Sequence, residues 1–354
     1  MNWDVVASGD GERWAAALAR VGCRDPYYLA AYHDAYGYDG GQSFLYVAED
    51  GGETLIHPFR LLPITQVGAR PVAPGLHDVE SVYGYAGPLA TCGDPAFLAQ
   101  AWAGFEPWLA ERRVVSEFCR FHPVLRSERF APPGMNVLHD RDVVAIDLTQ
   151  GAEAVWAGYE SVQRNRVRKA QGAGLSLAVQ SYGDGRAAFV PLYEATMRML
   201  GAGEFYYFQP AYWDNLARLG EALAVATVSH GGTPIAAALF LVADGVVHYH
   251  LGGSLPESRG LGPNNLLFHG IAAWAMERGG RMLLLGGGRS NRDDDELLRF
   301  KARFSRLRLP FHLGKRVVDA AAYGDLSALW QEESGRVPPP VLQHYRLPTG
   351  GTGA

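Results

Sequence analysis

Residues 286–305 read GGGRSNRDDDELLRFKARFS. A helix starting near Asp293 would place Leu297, Phe300, Lys301 and Phe304 at i, i+3, i+4 and i+7 on one face. Apart from the lysine, that face is apolar. Two readings fit an ammonium in this position. Its methylenes could pack while the charged head snorkels to the helix edge, the commoner fate of such a lysine. Alternatively, it is a fixed cation on a cleft wall, where negative charge develops during acyl transfer. The preceding strand-like RMLLLGGG favours the second, because a glycine-rich loop after a buried strand sits at the sheet rim where ligands bind. The acidic run suits the first turn of the helix.

Three other stretches carry residue types suited to chemistry. SRGLGPNNLLFHGI (258–271) follows a strand and opens a helix, and Gly260, Gly262 and Asn264 there suit close approach of an oxyanion to free N–H groups. A loop with two glycines and a capped helix is the equally weighted alternative. RNRVRKA (164–170) gathers Arg164, Arg166, Arg168 and Lys169. A solvated helix end would look the same, but one dense basic cluster in a net-acidic chain points to a phosphate-bearing partner. HDVESVYGYAGP (77–88) combines Asp78 with Tyr83 and Tyr85 and could line a cleft, although buried tyrosines with bonded hydroxyls fit equally well. Tyr207, in GEFYYFQP, reads as core or pocket wall. His248 and His250 flank Tyr249 on a strand with no third ligand at any evident spacing, so no metal site is expected. No G-x-S-x-G, H-E-x-x-H or Walker A motif occurs.

The elements that must hold these residues alternate along the chain. Residues 42–64 read as two strands joined by a Gly-Gly turn, 95–113 as a helix, and VVSEFCRFHPV and DVVAIDL as strands. One helix is expected over 151–174. Three strands follow over 223–254, turning at Gly231-Gly232 and near Asp244-Gly245. A helix, a buried strand, the lysine helix and a late strand, LPFHLGKRVVD, complete the order. VAEDGGETLIHPFRL and VSHGGTPIAAALFLV repeat a strand, Gly-Gly turn and apolar strand about half a chain apart, which fits a duplicated α/β unit with a boundary near residue 150. The expected division is 1–150, 151–345 and a flexible tail over 346–354.

With 354 residues, 48% of them hydrophobic, the chain has material for two domains. A net charge of −5 argues against a generally cationic coat, so any polyanion contact must be local. Three widely spaced cysteines suggest a reducing compartment with no disulfide framework. The N-terminus shows no basic segment before an apolar core, and no apolar run is long enough to span a bilayer, so the expected location is cytoplasmic. The abundance of Ala, Gly and Arg gives a GC-rich bacterial impression.

In order from about residue 40 to 320, the blocks HPFRLLPI, YGYAGP, RNRVRKA, LGPNNLL, LGGGRS and LLRFKARFS resemble the FemABX-like branch of the GNAT acyltransferase superfamily. That branch holds the aminoacyl-tRNA-dependent transferases that build peptidoglycan bridges, together with BioF2-like domains. The resemblance implies an α/β fold of two GNAT-like domains, with mixed, mostly antiparallel sheets flanked by helices, facing across a cleft. The N-terminal domain would be the acceptor side and the C-terminal domain the donor side. It implies transfer of an amino acid from aminoacyl-tRNA to an amino group of a peptide or small metabolite, with no tightly bound cofactor. An acyl-CoA donor is the alternative, because 258–264 also looks like a GNAT pyrophosphate loop. A non-catalytic module binding an anion or nucleotide is the third reading. Carried over residue by residue, Lys301 would steady the donor carbonyl or its oxyanion. Arg164 and Arg168, with Lys169 beside them, would meet phosphates of a nucleotide-linked acceptor or of the tRNA; Gly260, Gly262, Asn264, Arg289, Phe300 and Phe304 are expected on the donor side. Arg60, Tyr83, Tyr85 and Tyr207 would face the acceptor. Asp78, a water or the donor's ribose hydroxyl would take the amine's proton.

Overall fold

A computed structural model describes residues 1–37, 40–292 and 294–350. The chain begins with β1 (Asn2–Ala7), α1 (Gly11–Arg20), α2 (Ala30–Asp34), β2 (Gln42–Asp50) and β3 (Glu53–Pro63). It continues through β4 (Gln66–Val67), β5 (Arg70–Pro71), β6 (His77–Glu80), β7 (Leu89–Ala90), α3 (Pro95–Ala103), α4 (Phe105–Glu111), β8 (Val114–Arg120) and β9 (Asn136–Asp147). Then come α5 (Ala152–Gly158), α6 (Ser161–Gly172), β10 (Leu175–Ser181), α7 (Tyr182–Met199), α8 (Pro210–Leu216), β11 (Leu223–His230), β12 (Thr233–Ala243) and β13 (Val246–Ser254). The last elements are α9 (Pro263–Glu277), β14 (Met282–Gly286), α10 (Glu296–Ala302), β15 (Arg308–Val317) and α11 (Ala320–Ser334).

Two compact units result. The first comprises 1–23, 27–140 and 311–354, and the second 24–26 and 141–310. In the first unit the strand order is β1-β2-β3-β6-β8-β15, antiparallel except for the β6/β8 pair. In the second it is β10-β11-β12-β13-β14-β9, antiparallel except for β13/β14. The two orders match strand for strand, including the position of the parallel pair. The repeated Gly-Gly hairpins are β2–β3 and β11–β12, which occupy equivalent places.

The compact units differ from a single cut at residue 150. The sixth strand of the second unit, β9, precedes that unit's other strands, and the sixth strand of the first, β15, follows all of the first unit's others. Each strand passes from one unit into the other, so 311–354 returns to the first unit. Register fixes this arrangement: Leu313–Val317 pairs with Ser116–Arg120, and Val144–Asp147 with Met282–Gly286.

Burial explains why these segments form strands. In β12, Ile235 to Leu241 are all buried, as expected of a strand covered on both faces. Its even-numbered side chains Ala236, Ala238 and Phe240 join a core with Leu267, Ile271 and Ala275 of α9, while α7 packs against β11, β12 and β13. In the first unit Tyr46, Phe59, Trp102 and Phe105 form the corresponding core.

Two helices differ from their sequence reading. The helix expected over 151–174 is broken, because Tyr159 adopts an extended backbone (ψ 144°) between α5 and α6. Burial of the Tyr159 ring, 2% exposed against Phe304, holds that break. The lysine helix starts at Glu296 rather than near Asp293, which lies outside the described residues; Asp295 is its N-cap. Of the expected tail, 351–354 lie outside the described residues. Arg346, by contrast, is held by an ion pair to Asp78. Among the described residues no helix is long and apolar enough to cross a membrane.

Candidate functional site

The second unit assembles a site around Lys301. Pairing of the parallel strands β13 and β14 stops at His248/Leu284, although β13 continues to Ser254. Beyond that point the chain leaves β14 through Gly286, whose φ of +78° is one that a side chain rarely tolerates. At Gly288, an added Cβ would meet the Asp295 carboxylate. That carboxylate gathers the loop: Oδ2 accepts from the N–H groups of Arg289 and Ser290, both at 2.9 Å, and Oδ1 accepts from the N–H of Leu298. One side chain therefore caps α10 and fixes the loop before it. The hydrogen bonds hold its carboxyl below the ordinary aspartate range, against the opposing effect of burial.

Lys301 is 4% exposed, so the snorkelling reading is excluded by geometry. Its Nζ donates to the Gly287 carbonyl at 2.8 Å and lies 5.1 Å from the centroid of the Tyr249 ring. The ammonium thus occupies the place where β13 and β14 part, held by a carbonyl of one strand's end and a ring of the other. Arg141 donates to the adjacent Gly288 carbonyl at 3.1 Å. Burial lowers the Lys301 pKa to about 7; Asp295 opposes this and Arg141 adds to it. Among the described residues the Gly287 carbonyl is the hydrogen-bond acceptor of this ammonium, a group with three donors.

Phe304 is buried and Phe300 half-buried. Their rings pack on Phe268 at 5.8 and 5.5 Å, and Phe268 meets Tyr249 at 5.0 Å. A polar link unseen in the sequence sets the height of α10. Gln163 of α6 donates to the Phe300 carbonyl at 3.0 Å, and its own carbonyl accepts from Asn265 of α9. Both amides are buried. Their only signal was an amide beside each motif, Gln163 before RNR and Asn265 within PNN.

In the loop before α9 the Gly262 N–H donates to the Arg259 carbonyl, and the N–H groups of Asn265 and Leu266 donate to the Gly262 carbonyl, so these donors are engaged within the loop and the first helical turn. Gly262, at φ +76°, is the helix N-cap without a side-chain cap, and Pro263 takes the first position. Asn264 instead donates to Ser254 Oγ at 3.2 Å. Gly260 is exposed. In α6, Arg164 is turned back onto the carbonyls of Ala157 and Tyr159, whereas Arg166, Arg168 and Lys169 are exposed. The Arg168 guanidinium lies 5.4 Å from the Trp156 ring.

The residues expected to face the acceptor divide between the units, Arg60, Tyr83 and Tyr85 in the first and Tyr207 in the second, and Asp78, the expected proton acceptor, lies in the first. Asp78 is not an accessible proton acceptor. It is fully buried, and its carboxylate accepts from Ser116 Oγ at 2.8 Å, Tyr345 OH at 2.6 Å and Arg346 Nε at 2.6 Å. Two of its partners come from the chain's end, which no local pattern could reveal. Arg60 is likewise 2% exposed, donating to the Tyr36 carbonyl at 2.8 Å with its guanidinium 5.5 Å from that ring. Tyr85 is half-buried against Tyr27 and Phe311; the half-buried Tyr83 offers its carbonyl to Tyr32; Tyr207 is exposed. The β13 histidines have partners inside the second unit: His248 meets Asp25 at 2.8 Å and His250 meets Tyr212 OH at 3.1 Å.

Residues 160–302 match the family model described as an acetyltransferase (GNAT) domain. That span contains α6, the Gly262 loop, the β13/β14 opening and Lys301. The crystal structure of FemX is similar over 92% of this chain and 99% of that one, with a TM-score of 0.67 and 11% identity. L-PGS from Bacillus licheniformis is similar over 87% and 92%, with a TM-score of 0.55 and 14% identity. At such identities the likeness is one of fold. No curated protein sequence matches the chain.

Proposed function

We propose that this GNAT-fold chain is an aminoacyltransferase that moves an amino acid from aminoacyl-tRNA to the amine of a peptide or small metabolite, forming an amide. The observation that carries the reading is the buried Lys301 ammonium, fixed where β13 and β14 part. Attack on the ester carbon puts negative charge on the former carbonyl oxygen, which a preorganised cation in a low-dielectric site stabilises without reorganising. Collapse keeps the new C–N bond and breaks the ester C–O bond, the ribose oxygen leaving with a proton. In this reading the acceptor amine attacks as the neutral base. Its proton passes to the ribose hydroxyl or a water, since the Asp78 carboxylate is enclosed by its own partners. The choice of donor rests on the resemblance of the sequence blocks, above all LLRFKARFS, to the FemABX-like transferases.

An acyl-CoA donor is the second reading, favoured by the match of residues 160–302 to an acetyltransferase (GNAT) domain model. Separate incubations with labelled aminoacyl-tRNA and labelled acetyl-CoA, each with an amine acceptor, decide between them. Product from the first that RNase pretreatment abolishes supports the lead reading; product from acetyl-CoA alone overturns it. Thermal protection by some other anionic ligand, without product from either donor, would leave a binding module.

A further inference from the structure

Helix α10 is seven residues long, too short to hold its shape alone in water, so its place comes from its contacts. Its last carbonyls need partners from outside the helix. The Phe304 N–H turns to the Lys301 carbonyl at 3.0 Å, three residues back, instead of reaching Phe300. The Phe300 carbonyl accepts from the Gln163 amide of α6 instead, at 3.0 Å. At the N-cap of α6, the Glu160 N–H donates to the Arg303 carbonyl at 2.8 Å. The start of α6 therefore caps the end of α10 through residues on either side of Lys301. The grip extends to α9. The Gln163 side-chain carbonyl accepts from Asn265, whose backbone N–H donates to the Gly262 carbonyl at 3.1 Å. At Gly262 an added Cβ would stand 3.3 Å from the Arg166 carbonyl, so this turn rests directly on α6. Gln163 and Asn265 are 2% and 8% exposed. Water does not replace a bond at that depth, so an amide engaged at both ends holds one position.

We propose that Gln163 is a positioning residue for the acyl transfer: it sets the height of α10, and so keeps the Lys301 ammonium at the β13/β14 opening, while Asn265 holds Gln163 in turn. The kinetic part of this assignment rests on the acyl-transfer reading above. Two features single out Gln163 among the contacts of α10. The packing of Phe300 and Phe304 on Phe268 is non-directional and tolerates a slide along the helix axis. Asp295 fixes the first turn, whereas Lys301 lies in the last, next to the carbonyl that Gln163 holds. A slide of about 1.5 Å, the rise of one residue, would break the 2.8 Å bond from Nζ to Gly287 and let water reach the ammonium. The charged and titratable groups facing that ammonium are Asp295 of the α10 cap, Arg141 of β9 and Tyr249 of β13. Gln163 carries no charge, so a neutral substitution there changes the lysine's titration only by moving the lysine.

The chain has three lysines, Lys169, Lys301 and Lys315, so NMR with isotope-labelled lysine ε-carbons reads each one, and Lys301→Met identifies the Lys301 signal. Gln163→Met keeps volume and charge while removing both amide bonds. In it the Lys301 titration should rise from about 7 by about one pH unit or more as water reaches the ammonium. In turnover, kcat should fall about tenfold or more, with KM for the donor within about twofold of the parent. Val167→Ala opens a cavity on the buried side of the same helix; it should lower Tm and leave the lysine signal and kcat at parental values. Asn265→Ala, which leaves Gln163 unheld, should shift the lysine in the same direction by less, and it serves as the test if the methionine variant does not fold. A folded Gln163→Met protein with parental Lys301 titration or parental kcat overturns the assignment, as does an equal shift in Val167→Ala. If the parent itself forms no amide from either donor, the acyl-transfer reading falls, while the titration still decides whether Gln163 places the lysine.

Discussion

The Nζ of Lys301 sits 2.8 Å from the carbonyl oxygen of Gly287, fourteen residues before it in the chain. Those two atoms tie helix α10 to the end of β14, so the ammonium cannot drift from the point where β14 leaves β13. Its position is set by the loop, and its charge by what surrounds it.

Lys301→Ala should lower kcat roughly 100-fold or more, the usual loss when one oxyanion donor is removed, with the fold retained. Lys301→Arg keeps charge but overfills the buried slot, so it should rescue little. Steady-state kinetics on variants with parental circular dichroism provide the check; full activity in the alanine variant would remove the lysine from the mechanism.

The working form of the lysine is open to a pH profile. With a pKa of about 7, the ammonium is lost as pH rises through neutrality, so kcat should fall on the alkaline side. Arg141 pushes this pKa down, and Arg141→Gln should move the falling limb to higher pH. A rate that climbs through the same interval would assign the neutral amine the role instead.

Stability should respond in the opposite sense. Between about 7 and the ordinary lysine value of 10.5 the unfolded chain holds a proton that the folded chain has released. That extra proton on the unfolded chain makes the folded state gain stability as pH rises across the window. Lys301→Met removes this increment and should be at least as stable as the parent at pH 7. Urea unfolding at pH 7 and pH 9 for both proteins gives the comparison.

Asp78→Asn should cost about 3 kcal/mol or more, because it strips the negative partner from the Arg346 guanidinium while Ser116 and Tyr345 still point at the site. Activity per folded molecule should be unchanged at low temperature. A large fall in kcat without loss of Tm would restore this carboxylate to the chemistry.

Acid should destabilise the protein through its buried imidazoles. Burial lowers His33 and His250 to about 3, whereas unfolded histidine titrates near 6.5. Below 6.5 the unfolded chain binds the extra protons, so stability falls as pH drops from there toward 3. His250→Gln, which can still meet the Tyr212 hydroxyl, should show a shallower decline of Tm between pH 6.5 and 4.

The sequence by itself determined the hairpins at Gly51-Gly52 and Gly231-Gly232, the apolar β12, the glycine turn before α9 and the single lysine on an apolar helix face. Each is written in spacing over a few residues, the range across which backbone geometry is decided. Tertiary structure alone decided the exchange of β9 and β15, the capture of Asp78 by Arg346 across 268 residues, and the amide link from Asn265 through Gln163 to α10. It also decided what Lys301 is. Helical spacing placed the ammonium on the stripe. Only the arrival of Gly287, Tyr249, Arg141 and Asp295 around it fixed its depth and its pKa, since desolvation and Coulomb interaction depend on distance in space and leave no periodicity along the chain.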